Sequence, residues 1–582
     1  MNVATASLSL LAVATPAVMA LLLSVRPWRE GVKRATPLAA APALVLAWAN
    51  PAGAQWSLPW LDHPVLELDA VGRVFLAFTS VLYLASGWYA RGYLAKDPNP
   101  GRFYLFFLLA MAGNFGLILA GDVPAFYTAF ALMGLASAGL VFHRGDAEAF
   151  RAGRIYLALA MVGEVLILTG LVFLVVAGDT VTIAELHRGV ISRPALPLLL
   201  AGFGIKAGAL TLHFWLPLAH PAAPVPASAV LSGAMIKAGL LGWIRFLPLG
   251  EAPLPGCGIT FIGAGLGAAF LGTLVGVAQA NPKTVLAYSS ISQMGIIMTG
   301  LGIAAFRPEA WAEILAAVLI YATHHALAKG SLFLSIGPAH AARTRLQRSL
   351  TGLGLLLAAL ALAGAPLTSG ALAKTALKAN VGFLPEGWAL ALGVLLPLAT
   401  AGTTLKMARF LWLVWPRPGH VAPAAPRGLW LPWLGLLAAM LAGVWLLPGA
   451  LELLPAKLAP DKLWSALWPL LFGGALAALG ARLRRWFSGD LSRWLPAGDM
   501  GVVIERLLER LTLRRPRSDD SDAGRSDDPA PAAREVLWSA YAARAASAVT
   551  DVESRLRAWP VVGVVWLLLF GLLTALLARA GH

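Results

Sequence analysis

The sequence predicts an all-α polytopic membrane protein with about 16 transmembrane helices, on three observations. Of the 582 residues, 58% are apolar and only 13% charged, with a mean hydropathy of +0.73, outside the range of ordinary soluble domains. Apolar runs of about 20 residues, enough to cross roughly 30 Å of hydrocarbon as a helix, recur from Thr5 to Ala578. The basic residues fall in short blocks between those runs. Runs this long and this uniformly apolar are helices rather than barrel strands, because a helix satisfies its own backbone groups where no water can.

The first eight spans are expected near residues 5–25, 37–53, 70–89, 103–120, 124–143, 155–177, 196–217 and 227–248. The second eight follow near 259–280, 284–304, 310–336, 350–379, 388–411, 429–448, 463–480 and 559–578. The first run has no basic segment before it and Arg26, Arg29, Lys33 and Arg34 after it, so it reads as a retained helix rather than a cleaved signal. With the N-terminus outside, one side collects that block, then Arg91, Lys96 and Arg102, then Arg144, Arg151 and Arg154, then Lys283, then Arg343, Arg345 and Arg348. Loops 178–195 and 249–258 are poor in Lys and Arg, as the positive-inside rule requires. The expected setting is the cytoplasmic (inner) membrane.

The domains follow. Residues 1–102 hold the first three helices, 103–248 and 259–411 form two five-helix units, 429–480 hold helices fourteen and fifteen, and 558–582 hold the last. The stretch 481–557 is expected to be cytoplasmic. Within it Val502, Val503, Leu507, Leu508 and Leu511 form an apolar stripe at helical spacing, and the Asp- and Pro-containing run from Arg514 to Ala533 reads as a flexible linker.

The formal charge of +16 does not make a nucleic-acid footprint, since the cations are dispersed between apolar runs. The lone Cys257 excludes a disulfide framework and a cysteine-ligated iron–sulfur cluster, and no glycine-rich dinucleotide loop or haem motif is present. No cofactor or metal is expected on this chain, and any redox chemistry would belong to partners.

Charged residues inside the apolar spans are the functional signal. Each costs about 2.5 to 3.5 kcal/mol to insert near the bilayer centre, so it is retained for a reason. Glu164 lies in the sixth expected span, Lys206 at the middle of the seventh, Lys237 at the middle of the eighth and Lys374 in the twelfth; His325 and Lys329 share one face of the eleventh. For Lys206 and Lys237 the headgroups are about 15 Å away, beyond a lysine stem. Lys406 and Lys283 are expected to snorkel instead. His324 is compatible with a neutral, satisfied core residue.

Two of these spans contain helix breakers: Gly202, Gly204 and Gly208 around Lys206, and Gly364, Pro366 and Gly370 ahead of Lys374. Interrupted helices at membrane depth are tolerated where protein or a wet cavity satisfies the backbone, which points to a transport site. The charged positions pair off five helices apart, so two inverted five-helix repeats are expected, helices four to eight and nine to thirteen, each with one broken helix.

Three stretches carry a resemblance. GFGIKAGALTLHFWLPLAHPAAPVPASAVLSGAMIKAGLLG from Gly202, NPKTVLAYSSISQMG from Asn281, and YATHHALAKGSLFL from Tyr321 with GAPLTSGALAKTALK from Gly364 together resemble the antiporter-like subunits shared by respiratory complex I, membrane-bound hydrogenases and Mrp-type Na⁺/H⁺ antiporters. The resemblance covers about Leu68 to Arg409. It implies that Lys206 and Lys374 lie on a central polar axis with Lys237, His325 and Lys329 between them, and that Glu164 in MVGEV is the acid of the sixth helix. One departure stands out: where the family has a glutamate in a segment like FELMSLSS, this chain reads FALMGLAS, with Ala131 in that place. The Pro- and Asp-rich run also departs from the long lateral helix of the distal complex I subunit.

The resemblance implies proton transport, or protons against Na⁺, by one subunit among other membrane subunits, through a relay in which Glu164 holds Lys206 protonated and Lys237, His325, Lys329 and Lys374 carry the proton onward. The alternatives are a non-conducting scaffold, favoured by Ala131, and a subunit that energises uptake of another solute. Catalysis of a redox step by the chain itself is disfavoured by its motifs.

Overall fold

A computed structural model describes residues 3–49, 54–57, 63–188, 192–417, 428–447 and 460–482, together with 495–498 and 502. The helices are α1 Val3–Leu22, α2 Arg29–Ala35, α3 Ala41–Trp48, α4 Ala70–Tyr93, α5 Pro100–Leu119, α6 Val123–Val141, α7 Ala147–Gly178 and α8 Ile183–Arg188. They continue as α9 Ala195–Ala207, α10 Trp215–Ala222, α11 Val225–Val230, α12 Lys237–Phe246, α13 Pro255–Ala278, α14 Pro282–Phe306 and α15 Trp311–Ala341. The last are α16 Arg345–Ala363, α17 Ser369–Ala379, α18 Glu386–Val414, α19 Trp430–Ala442 and α20 Pro460–Arg482.

Among the described residues, 11 helices are long and apolar enough to cross a membrane, or up to 12 if the bent pair Ser7–Leu22 and Arg26–Trp48 makes one span. The sixteenth expected helix, 559–578, and the apolar stripe beyond Val502 lie outside the described residues. The second expected helix, 37–53, stops at Trp48, and the chain instead forms a short antiparallel hairpin, β1 Ala54–Trp56 with β2 Leu66–Leu68. Among the described residues the architecture is therefore helical with one small hairpin. Its tie to the bundle is a bridge from Leu66 to Ala120 at the end of α5.

Local chemistry sets the helix starts. Asp69, Asp122 and Asp146 cap α4, α6 and α7 by accepting the N–H three residues on, and Thr344 closes a capping box with Gln347 at the start of α16. Close approach is set by small residues: α13 and α14 meet where a Cβ on either Gly265 or Gly295 would run into the other's backbone.

Burial sorts the helices into layers. The stretch Val225–Phe246 is wholly enclosed and Pro282–Phe306 nearly so, whereas Ala147–Gly178 and Leu463–Arg482 keep broad apolar faces outward. The enclosed helices run through the middle of the bundle, and they carry or contact most of the internal charges.

Two spans are broken, and the breaks share one geometry. α9 ends at Gly208 (φ 70°) and α16 at Gly364 (φ 90°), both left-handed C-caps. Three residues after each glycine a non-glycine residue also takes left-handed φ, Thr211 at 74° and Leu367 at 66°. That conformation costs an L-residue energy, so its recurrence at the same offset marks the two breaks as built features. A third irregularity is a π turn over Leu231–Met235, between α11 and α12.

Candidate functional site

The first cluster surrounds the first break. Lys206 is the penultimate residue of α9, beside the break at Gly208 that the glycines around it led one to expect. Trp215, the first residue of α10, donates its indole N–H to the Ile205 carbonyl at 2.8 Å and so satisfies one of the groups freed there. The Lys206 ammonium sits 5.9 and 5.5 Å from the ring centroids of Phe130 and Tyr156, within cation–π range. Its Nζ donates to the Tyr156 hydroxyl at 2.9 Å, and that hydroxyl donates to the Gly134 carbonyl at 3.2 Å.

Glu164, two turns beyond Tyr156 on α7, lines the same cavity of about 10 Å³, the scale of a single water. It lies within electrostatic reach of Lys206, yet its Oε2 is buried without a hydrogen-bond partner among the described residues. The direct hydrogen bond of Lys206 is to Tyr156, with Glu164 in the same cavity. Ala131 is buried in α6, and one turn on, a Cβ at Gly134 would stand 3.0 Å from Glu164 Oε1. The bare face of α6 at Gly134 is the room into which the Glu164 carboxylate fits.

The second cluster is a hydrogen-bonded run through the enclosed helices. Lys237 opens α12 just after the π turn, and its Nζ donates to the Ser232 carbonyl at 2.7 Å. The Ser232 and Ser290 hydroxyls are 2.7 Å apart, and Ser290 Oγ donates to the Leu286 carbonyl at 3.0 Å. A hydroxyl has one proton, so Ser232 is the donor between the two serines. Lys329 Nζ reaches the same Leu286 carbonyl at 2.7 Å. His325, one turn before Lys329 on α15, lies within electrostatic reach of Lys237, Lys329 and His324, and neither ring nitrogen has a hydrogen-bond partner among the described residues.

The third cluster lies at the second break. Lys374, on α17, donates to the Ala363 carbonyl at 2.5 Å, at the C-terminal end of α16, where unpaired carbonyls and the helix dipole favour a cation. A cavity of about 60 Å³, lined among others by Lys374, Thr375, Thr400 and Ser465, adjoins it. His324 Nδ1 is 2.9 Å from Ser369 Oγ at the start of α17, so this histidine is tied to the break.

One residue departs from its expected role. Lys406 does not snorkel: it is fully buried on α18, its Nζ has no hydrogen-bond partner among the described residues, and it lies within electrostatic reach of both Lys329 and Lys374. Lys283, in the first turn of α14, donates its Nζ to the Ala223 carbonyl at 2.6 Å. Tyr156, Ser232 and Ser290 were not singled out by charge and enter only through geometry. The first and second clusters adjoin where α12 packs on α9, with Gly239 against Ala207. Among the described residues no group of three or more His, Cys, Asp or Glu could hold a metal ion.

Residues 120–400, which contain every charged side chain of these clusters except Lys406, match the family model described as NADH:quinone oxidoreductase/Mrp antiporter, transmembrane. Over these residues the chain resembles that family. With its long apolar helices, this makes it an integral membrane protein. The "Putative antiporter subunit mnhA2" of Staphylococcus epidermidis is 31% identical over 394 residues, covering 60% of this chain and 49% of that protein. Hydrogenase-4 component B of Escherichia coli K12 is 32% identical over 287 residues, 47% of this chain and 43% of that protein. The chain spans about half the length of the curated relatives it matches. In fold it is similar to a chain of the Mrp complex from Dietzia sp. DQ12-45-1b, with a TM-score of 0.72 and 23% identity over 94% of this chain and 63% of that chain.

Proposed function

We propose that this chain translocates protons, or exchanges a cation for protons, as one subunit of a complex I/Mrp-like multisubunit membrane complex, with Glu164, Lys206, Lys237, His325, Lys329 and Lys374 as the relay and Lys406 joining it. The observation that carries this reading is the enclosure of Lys237, His325 and Lys329 within electrostatic reach of one another, inside the most buried helices. A single structural ion pair would need one cation; a row of lysines with only Glu164 among them is better suited to passing charge.

An ammonium among apolar walls is disfavoured, and an anion or a helix C-terminus nearby favours it, so each lysine holds or yields its proton according to what faces it. Glu164 shares the cavity of Lys206, with Tyr156 as hydrogen-bond acceptor and room for one water to connect the phenol to the carboxylate. When this arrangement shifts, the proton passes toward Lys237, then through His325, whose imidazole can take a proton on one nitrogen and release it from the other, to Lys329. Lys406 and Lys374 receive it next, and the cavity beside Lys374 gives it an exit. The two breaks supply local water access and freedom to move.

The matching glycine and positive-φ offsets at the two breaks support two inverted five-helix repeats, helices four to eight and nine to thirteen of about 16, within the domain boundaries given above. The one-sided basic blocks support an N-terminus outside and the 481–557 segment inside, in the cytoplasmic membrane. The multisubunit setting of the structural relative supports further membrane subunits as partners. A scaffold role is the second reading, favoured by Ala131 and by Lys206 bonding to a neutral phenol rather than to an acid.

Purification through a tag on the full chain, with reconstitution of whatever co-purifies, tests the proposal. Co-purifying membrane subunits and ionophore-sensitive acidification of vesicles are expected. A complex that assembles but moves neither protons nor Na⁺ would leave the scaffold reading.

A further inference from the structure

A cavity of about 450 Å³, far from the internal lysines in character, opens at the membrane edge of α4 and α5. Lys33 and Arg34 from α2, Arg91 from the last turn of α4 and Tyr104 from the first turns of α5 line it, with Trp88 and Glu30. Glu30 is paired with Lys33. Arg34 and Arg91 make no hydrogen bond or ion pair to a described residue, so one carboxylate faces three cations and two guanidinium groups remain without an anion.

The depth of the site is set by its helices. α4 ends at Tyr93 and α5 begins at Pro100, so the cations stand where these spans leave the hydrocarbon, and Trp88, 39% exposed, lies about one turn deeper at the level an interfacial indole prefers. The chain that continues from α2 packs against α4, with Pro37 close to Gly87. It then presents Leu38, Val45 and Trp48 outward, a lipid-facing strip about 15 Å long starting beside the cations.

We propose that this cavity binds the phosphate of an anionic phospholipid. Arg34 and Arg91 would each offer paired N–H donors to phosphate oxygens, a geometry suited to guanidinium, while Lys33 adds charge and remains tied to Glu30. Trp88 and Tyr104 flank the glycerol level, and an acyl chain follows Leu38, Val45 and Trp48. Basic pockets between helices on the positively charged side of a membrane protein suit this headgroup chemistry. A free phosphate shares the arginine chemistry but would leave the apolar strip unused.

The test uses the full chain in its native complex, purified in detergent, with bound lipid read by native mass spectrometry after exposure to phosphatidylglycerol or phosphatidylcholine. The wild type should retain phosphatidylglycerol preferentially, and the Arg34→Gln/Arg91→Gln double variant should lose about ten-fold of it. An Arg343→Gln/Arg345→Gln variant, which alters basic residues elsewhere on the same expected side, should retain it, and all three should share one melting temperature without added lipid. Equal retention by the cavity variant would overturn the site. Displacement of the lipid by millimolar inorganic phosphate, or protection of the cavity by a co-purifying protein instead of lipid, would overturn the lipid assignment.

Discussion

The ammonium of Lys206 is hydrogen-bonded to the phenol of Tyr156 at 2.9 Å, and the carboxylate of Glu164 shares their cavity without joining that bond. The hydroxyl therefore stands at the junction of the first cluster. Tyr156→Phe removes the acceptor of Lys206 while preserving ring volume against Trp215, which packs edge-on at 4.9 Å. Assembly should be retained and proton flux in vesicles should fall by roughly ten-fold, the scale of one charge-assisted hydrogen bond. Unchanged flux would remove Tyr156 from the site.

Gly134 is a second lever on the same place. Elsewhere in a helix, Gly→Ala gains about 1 kcal/mol of helix propensity. At Gly134 the new methyl would meet Glu164 Oε1 at 3.0 Å and force the carboxylate to shift. Gly134→Ala should leave thermal stability equal or slightly raised while reducing flux. Wild-type flux would mean that the Glu164 position does not matter.

Lys406 is the strongest departure from its apparent role. Five residues from the end of its expected span it reads as a snorkelling lysine, but α18 extends to Val414 and neighbouring helices cover it completely. Lys406→Ala should lower flux at least ten-fold with the complex intact, and Lys406→Arg should not restore it, because a guanidinium does not release its proton. Normal flux in the alanine variant would return Lys406 to a packing role.

Arg245 carries a structural prediction. Its guanidinium donates to the Ala120 carbonyl at 2.6 Å, to the Ile118 carbonyl at 2.7 Å and to Asp69 at 3.2 Å, tying the C-terminal end of α5 to the N-cap of α4. Arg245→Ala would leave two buried carbonyls unpaired and cost about 3 kcal/mol. The solubilised protein should melt at lower temperature, with Arg245→Lys intermediate, since one ammonium cannot span both carbonyls in a fork.

Much of this was legible in the sequence, for identifiable reasons. Hydropathy gave the helices because bilayer crossing fixes length and polarity, and Gly208 and Gly364 marked the breaks because a left-handed C-cap favours glycine. Internal charge singled out Lys237, Lys329 and Lys374 because burial of an ammonium demands an acceptor, and each has one. Tyr156 was not legible: near the start of a span, a tyrosine reads as an interfacial anchor. Ser232 and Ser290 were hidden for another reason, since they meet across 58 positions of chain and serine is common on buried helix faces. The β1–β2 hairpin escaped because its strands have only three residues each.

The most direct test of the relay is proton flux in vesicles containing the native complex with Lys206→Ala or Lys374→Ala, compared with wild type at equal subunit content. The account predicts that either substitution abolishes flux while leaving assembly and melting temperature nearly unchanged. Wild-type flux from both variants in a fully assembled complex would contradict it.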